Sequence, residues 1–548
     1  MLFDNKQKRT NPMHAFSLRL KRLMVVMTVM ASLTILLLPA AAQDEQEITF
    51  GLSFTVDTLD PGATTFSGVE IMVGHVFDTL VKQQPLGTFH PSLATEWTVN
   101  EDATEYVFTL REDVTFHDGT PFNAEAVKFT FDRIVDPATN SQMAFSFIGP
   151  YEESEVLDEY TIAVRFSSPN AAFLDGLSHP QLGPVSPAAV EALGEDWGFS
   201  GIVGTGPFIF DSYTPDSEVV LVRNPDYNWG TEEVFGMTGP AELDRLVFRI
   251  IPEPSTRLAA LESGEVDIID SVPGLDVQRL RDSDDFVVQE FEQAGHGYSI
   301  MFNQEKSPTS ELAVRRAVIH AVDRDLMQEF VYDDLGQTAC SALTSIMFGW
   351  TDYYCEVYDY NPEAAGEILD EAGWVLNEET GIRERDGEPL VIEHYSPDRP
   401  LSVATGQFLQ EDLANIGIDM QLNFLDIAAY LEIVRAGEHN VQGWWDTQTD
   451  PDGVMRTLYH SSNANGGTNR NRYVNEEMDT LIDNAVGIGD LQARAEAYAE
   501  IQRKIADEAL MLFLNDPVVL FASVPEVQGV TILGGGFIPN FYAADIEG

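Results

Sequence analysis

Phe116-His117-Asp118-Gly119-Thr120-Pro121-Phe122-Asn123-Ala124-Glu125-Ala126-Val127 places Asn123 ahead of a helical stripe of Val127, Phe131 and Ile134. Asparagine is a strong N-cap because its side-chain oxygen takes an otherwise orphaned backbone N–H. Just upstream, Tyr106, Phe108 and Leu110 alternate, the period of a half-buried strand. Pro91-Ser92-Leu93-Ala94-Thr95-Glu96-Trp97 precedes them at close spacing.

The same mixture continues outward. Leu246, Phe248 and Ile250 alternate, and residues 219–222 form a short apolar run ending at Arg223-Asn224-Pro225. Ser310 is expected to cap a helix carrying Val314, Ala317, Val318, Ala321 and Val322. Pro362 opens a helix closed by Gly373, and Phe408, Leu409, Leu413 and Ile416 mark one closed by Gly417. Met478, Leu481, Ile482 and Ala485 mark another, and a last helix covers about residues 490–509. These stripes read as core faces, and the chain as α/β or α+β. At 548 residues, two or three lobes are expected.

Residues 1–42 read as a signal peptide. Six basic residues, Lys6 to Arg22, precede an apolar segment at 23–38, shorter than the about 20 residues a bilayer span needs. Pro39 and Ala40-Ala41-Ala42 then offer a cleavage site near Ala42. With no Cys near the cut, the expected location is periplasmic or extracellular without a lipid anchor.

The chain has 89 acidic and 31 basic residues, a formal net charge of −58. Such a field repels nucleic acid and anionic membranes, so neither is an expected partner. With 44% hydrophobic and 10% aromatic residues the chain folds, and the acidity reads as a solvated surface suited to high salt. In an oxidising compartment Cys340 and Cys355 are expected to pair; two free buried thiols are the alternative. Two Cys with no nearby His make only half a metal ligand set.

Enzyme signatures fail in turn. Gly198-Phe199-Ser200-Gly201 lacks nucleophile-elbow spacing, and there is no H-E-x-x-H. Gly201-Ile202-Val203-Gly204-Thr205-Gly206 lacks the Lys-Ser/Thr of a phosphate loop and reads as a tight crossing between lobes. Gln448 and Tyr459 at the first and last positions rule out an EF-hand over 448–459. Paired carboxylates among 89 acids neither support nor exclude a glycosidase. Two segments look like binding surfaces. Gly443-Trp444-Trp445-Asp446-Thr447-Gln448-Thr449-Asp450-Pro451-Asp452 sets two indoles beside carboxylates, either a cleft wall or a core Trp pair before a turn. Arg399, in Ser396-Pro397-Asp398-Arg399-Pro400, reads as a turn residue with no helix partner. It is free to clasp a ligand carboxylate or to pair with Asp398.

The opening stretch and its two upstream segments resemble the signature of the family 5 extracellular solute-binding proteins, the peptide and nickel receptors of ABC importers. The resemblance continues through Val203-Gly204-Thr205-Gly206-Pro207-Phe208, Arg223-Asn224-Pro225-Asp226-Tyr227, Arg257-Leu258-Ala259-Ala260-Leu261-Glu262-Ser263-Gly264-Glu265-Val266-Asp267, Val314-Arg315-Arg316-Ala317 and Asn471-Arg472-Tyr473. It spans about residues 48–545, and its specificity lies in the order and spacing of pieces that are weak singly. It implies a two-lobed periplasmic-binding-protein clamp, class II or cluster C, with an extra inserted subdomain. Lobe I would comprise 43–88, 200–297 and 512–548, the inserted subdomain 89–199, and lobe III 298–511. Lobe crossings are expected at 203–207 or 298–303 and at 510–515.

The same resemblance implies a monomeric receptor without cofactor, metal or catalytic residues. It would bind peptides or peptide-like solutes between its lobes and serve ABC permease and ATPase subunits. Dipeptide-binding members resemble this chain at Arg399-Pro400, where their Arg grips the peptide carboxylate. They hold the peptide amine with an Asp three residues before the Asp-Pro-Asp. Here that position is Thr447, and Asp446 stands one residue off: either a local shift lets Asp446 serve, or amine recognition is lost, and longer peptides, other amines, opine-like compounds, sugars or a chelated metal stay open as ligands. The expected ligand set is therefore Arg399, Trp444, Trp445, Asp446, Thr447 and, at a crossing, Asn303. The competing class is a secreted hydrolase of peptide or glycan, distinguished by turnover.

Overall fold

A computed structural model of the protein describes residues 46–536 and 538–546, together with Met1. The signal-peptide reading lies outside the described residues. Among the described residues no helix is long and apolar enough to cross a membrane.

Two large sheets and one small sheet organise the chain. The seven-stranded sheet runs, in spatial order, Val287–Glu292, Val518–Ser523, Ile268–Asp270, Glu47–Leu52, Arg245–Ile250, Glu218–Arg223 and Phe208–Thr214. Its central strand Glu47–Leu52 pairs in parallel with both neighbours, and the flanking pairs are antiparallel. The six-stranded sheet runs Gln337–Thr338, Met511–Asp516, Gly295–Phe302, Val441–Thr447, Val391–Pro397 and Asp419–Leu425. Every residue of Gly295–Phe302 is buried, as a central strand covered on both faces requires. The small antiparallel sheet takes Ala94–Val99, Glu105–Leu110, Thr161–Phe166 and Tyr151–Asp158. The architecture is an α/β two-lobed clamp with an additional small-sheet subdomain.

The opening stretch of sequence braces this subdomain. Asn123 Oδ1 accepts the Ala126 N–H at 3.1 Å and starts the helix Ala124–Val135, which buries Val127, Phe131 and Ile134. Gly119, at φ +80°, closes a turn on the Phe116 carbonyl. His117 N donates to the Gly204 carbonyl, and its Nε2 lies 2.9 Å from the Gly206 carbonyl. The glycines at 204 and 206 let the chain pass against residues 75–76: a Cβ at Gly204 would sit 2.1 Å from the Val76 carbonyl oxygen.

Three expectations are corrected. Residues 203–207 return the chain from the small subdomain to the seven-stranded sheet, and residues 298–302 lie inside one strand, with Asn303 just past its end. The chain passes between the two large sheets at residues 293–294 and at Pro517, where Gln293 N donates to the Pro517 carbonyl at 2.9 Å. Ser310 caps nothing: the helix Leu312–Ala321 begins after Glu311, whose carboxylate is held by Arg385 at 2.8 and 2.5 Å instead of turning to the helix end. Arg399 stands at the N-cap position of the helix Pro400–Asn415 instead of in a turn, and its side chain makes no capping hydrogen bond. Cys340 and Cys355 form a disulfide.

Candidate functional site

In the six-stranded sheet Val391–Pro397 and Asp419–Leu425 pair in parallel, and Val391–Pro397 also pairs in parallel with Val441–Thr447. Their carboxyl ends therefore share one edge. Ligands of open α/β sheets gather at such edges because the loops there diverge. This edge carries Arg399, just past Pro397, and Trp445 to Thr447.

A cavity of about 410 Å³ opens at that edge, lined by Trp445, Asp446 and Thr447 on one side and Met143, Phe147 and His179 on the other. A second cavity, about 620 Å³, adjoins it through Ser146, Phe147 and Gln448. The two volumes together suit a ligand of several tens of atoms.

The residues expected from sequence separate here. Trp445 is 44% exposed, with its ring centroid 5.9 Å from Tyr298, and it faces the cavity. Asp446 receives Gln448 Nε2 at 3.2 Å, and burial raises its pKa above the usual carboxylate value. Thr447 Oγ1 accepts Gln293 Nε2 at 2.6 Å, which links the cavity wall to a lobe crossing. Trp444 lines neither cavity; it packs on the core of the six-stranded sheet with the Arg470 guanidinium 4.2 Å over its ring. Strand alternation explains the split, because adjacent residues point to opposite faces. Asn303 is fully buried at the far end of Gly295–Phe302, its Nδ2 donating to the Gly437 and His439 carbonyls. It is a structural residue away from the cleft. Arg399 is exposed, lines neither cavity and makes no ion pair, with Asp398 or any other acid, among the described residues.

A network that sequence did not reveal spans the cleft. His179 Nδ1 lies 3.2 Å from Glu70 Oε2, and its Nε2 lies 3.0 Å from Thr449 Oγ1. The Thr449 hydroxyl donates to Asp175 Oδ2 at 2.9 Å, so it can only accept from His179. Both ring nitrogens therefore donate, and the ring is an imidazolium. Burial alone would lower its pKa, but Glu70 and Asp175 more than reverse this and push it up to about 10. The Phe147 ring stacks on His179 at 4.2 Å. Asp450 binds Arg494 through both oxygens at 2.7 Å; burial and Asp175 raise its pKa to about 6 against the pull of Arg494. Only the Thr449-Asp450 end of this network lay in a segment read as a binding surface. Glu70, Phe147, Asp175 and His179 come from distant stretches without a local motif. Among the described residues no group of three His, Cys, Asp or Glu side chains could hold a metal ion.

The profile of the Bacterial extracellular solute-binding proteins, family 5 Middle, matches residues 88–466. The chain belongs to this family. Family 5 members are substrate-binding proteins, not enzymes. The protein is similar to Heme-binding protein A of Haemophilus influenzae, 30% identical, with 86% of this chain and 87% of that protein covered. It is 27% identical to the Dipeptide-binding protein of Escherichia coli, over 81% of this chain and 83% of that one. The Nickel-binding periplasmic protein of Escherichia coli is also 27% identical, over 90% and 92% of the two chains. In fold, this family 5 protein matches HbpA2 from Haemophilus parasuis with a TM-score of 0.79 at 24% identity, covering 91% of this chain and 100% of that one. The DppA protein of Helicobacter pylori, in complex with the peptide STSA, matches with a TM-score of 0.71 at 25% identity, covering 92% and 99%.

Proposed function

We propose that this solute-binding protein captures peptides or peptide-like solutes in its cleft and delivers them to an ABC permease, with ATP hydrolysed by separate subunits. The observation that carries the reading is the cavity at the parallel-strand edge. There a half-buried carboxylate, Asp446, has an amide neighbour and, among the described residues, no cation partner, beside the open face of Trp445. Asp446 holds a ligand ammonium, Trp445 walls the chain of the solute, and Thr447 stays with the hinge. Arg399 stands free at the same edge for a carboxylate. Peptide and nickel binding by relatives supports a solute carrying both charges, or a chelate of one.

Closure is a hinge motion about residues 293–294 and Pro517, favoured only by a solute that touches both sides. Lobe I then comprises 43–88, 200–297 and 512–548, the inserted subdomain 89–199 and lobe III 298–511. The boundaries shift by a few residues to meet the two crossings. The receptor works as an exported monomer after loss of residues 1–42. Isothermal titration calorimetry with a peptide panel, together with mass spectrometry of the recovered ligands, tests the reading. Binding with each ligand returned intact is expected; cleavage products, or no binding by any member, would overturn it.

A further inference from the structure

The larger cavity, about 620 Å³, has no role in the reading above. Its wall carries Asp175, Asp450, Asp452 and Asp483 with a single cation, Arg456. Most of these charges are already engaged. Arg456 Nε reaches Asp452 at 3.1 Å and its Nη1 reaches Asp483 at 2.9 Å, while Asp450 is held by Arg494. Asp175 differs. One oxygen accepts the Thr449 hydroxyl and stands 3.8 Å from His179 Nε2. The other, Oδ1, is buried and accepts no hydrogen bond among the described residues. The Asp175 side chain is only 9% exposed. A buried carboxylate oxygen is costly unless a donor reaches it, and Asp175 is part of the cavity wall.

The charge balance of the whole cleft points the same way. Glu70, Asp175, Asp446, Asp450, Asp452 and Asp483 line the two cavities. The cations bonded to them are His179, Arg456 and Arg494. Each of these cations already holds a carboxylate, so within the two cavities an anion finds no free partner, Arg399 standing outside both, and a cation finds excess negative charge. The two cavities adjoin at Ser146, Phe147 and Gln448, so one solute can occupy both.

We propose that the larger cavity is a subsite for a guanidinium or ammonium group carried on a flexible arm of the solute, with Asp175 Oδ1 as its acceptor. The preferred solute is then a basic peptide or peptide-like compound. This rests on the peptide-receptor reading and adds a charge preference to it. Phe147, stacked on His179 and bordering both cavities, is the wall the arm must pass.

Calorimetry on the full-length exported protein at low salt, with Ala-Arg-Ala, Ala-Gln-Ala and Ala-Glu-Ala, tests the preference. Ala-Arg-Ala is expected to bind at least ten-fold tighter than Ala-Gln-Ala, and Ala-Glu-Ala weakest. Asp175→Asn should bring the affinities for Ala-Arg-Ala and Ala-Gln-Ala within about three-fold of each other. Asp483→Asn, at an exposed position, frees Arg456 toward the cavity and should also weaken Ala-Arg-Ala. It keeps the test open if Asp175→Asn does not fold. Equal affinity for the three peptides, or an Arg-to-Gln ratio untouched by both variants, would overturn the inference and leave the receptor reading standing. Binding of none of the three, with agmatine bound tightly, would keep the cationic subsite and remove the peptide reading. Binding of neither peptides nor agmatine would remove both.

Discussion

His179 and Thr449 meet at 3.0 Å across the cleft although 270 residues separate them. The contact joins the helical part of the small subdomain to the strand end that carries Trp445 and Asp446. It works because the ring is charged, and the charge exists because Glu70 and Asp175 flank it.

That arrangement predicts a pH dependence. The folded-state pKa of His179, about 10, lies above the roughly 6.5 of an unfolded histidine. A raised histidine pKa contributes stability that is fully present below the unfolded value and fades as pH climbs through the folded one. Thermal unfolding followed from pH 6 to 10.5 should show a midpoint that falls across this window. In His179→Gln that slope should flatten, with a loss near neutral pH of about 3 kcal/mol for an interrupted buried ion pair. An unchanged slope in the variant would refute the role.

The two adjacent indoles should part company under mutation. Trp445→Ala removes an exposed ring from the cavity wall and is expected to weaken solute binding with little change in melting temperature. Trp444→Ala removes a ring packed on the core beneath Arg470 and should cost about 3 kcal/mol of stability. Calorimetry and thermal melts on both variants separate the effects.

Arg399→Ala should leave folding intact, because the exposed guanidinium has no ion-pair partner among the described residues. A solute with a free carboxylate should bind about ten-fold more weakly, as loss of a charged hydrogen bond of ~1.5 kcal/mol implies. Its amidated counterpart should bind the variant and the native protein alike. Equal affinity of the carboxylate form for both proteins would remove Arg399 from the site.

Reduction of Cys340–Cys355, with a sequence separation of 15, releases a short loop. Chain-entropy reasoning gives a loss of about 3 kcal/mol. Denaturant melts with and without reductant measure it, and Cys340→Ser with Cys355→Ser should match the reduced protein.

The helices were legible where a cap and a stripe coincide, as at Asn123 with Val127, Phe131 and Ile134. Ser310 misled because a capping residue type does not fix where its chain enters a helix; the pairing of Glu311 with Arg385 decided that, across 74 residues. The place of Trp445 and Asp446 on a cavity wall was legible, since an indole beside a carboxylate is a local pattern. Asn303 and Trp444 were misplaced because sequence gives neither the far end of a strand nor which face of it meets the cleft. His179 and Asp175 stayed hidden because their partners are tertiary.

The strand Val518–Ser523 sits between Ile268–Asp270 and Val287–Glu292, and the Phe541 ring packs 5.6 Å from Phe50. A nascent chain therefore cannot complete its earliest large sheet until residues 518–523 have left the ribosome. A chain cut before Val518 should leave Ile268–Asp270 and Val287–Glu292 without the strand that joins them.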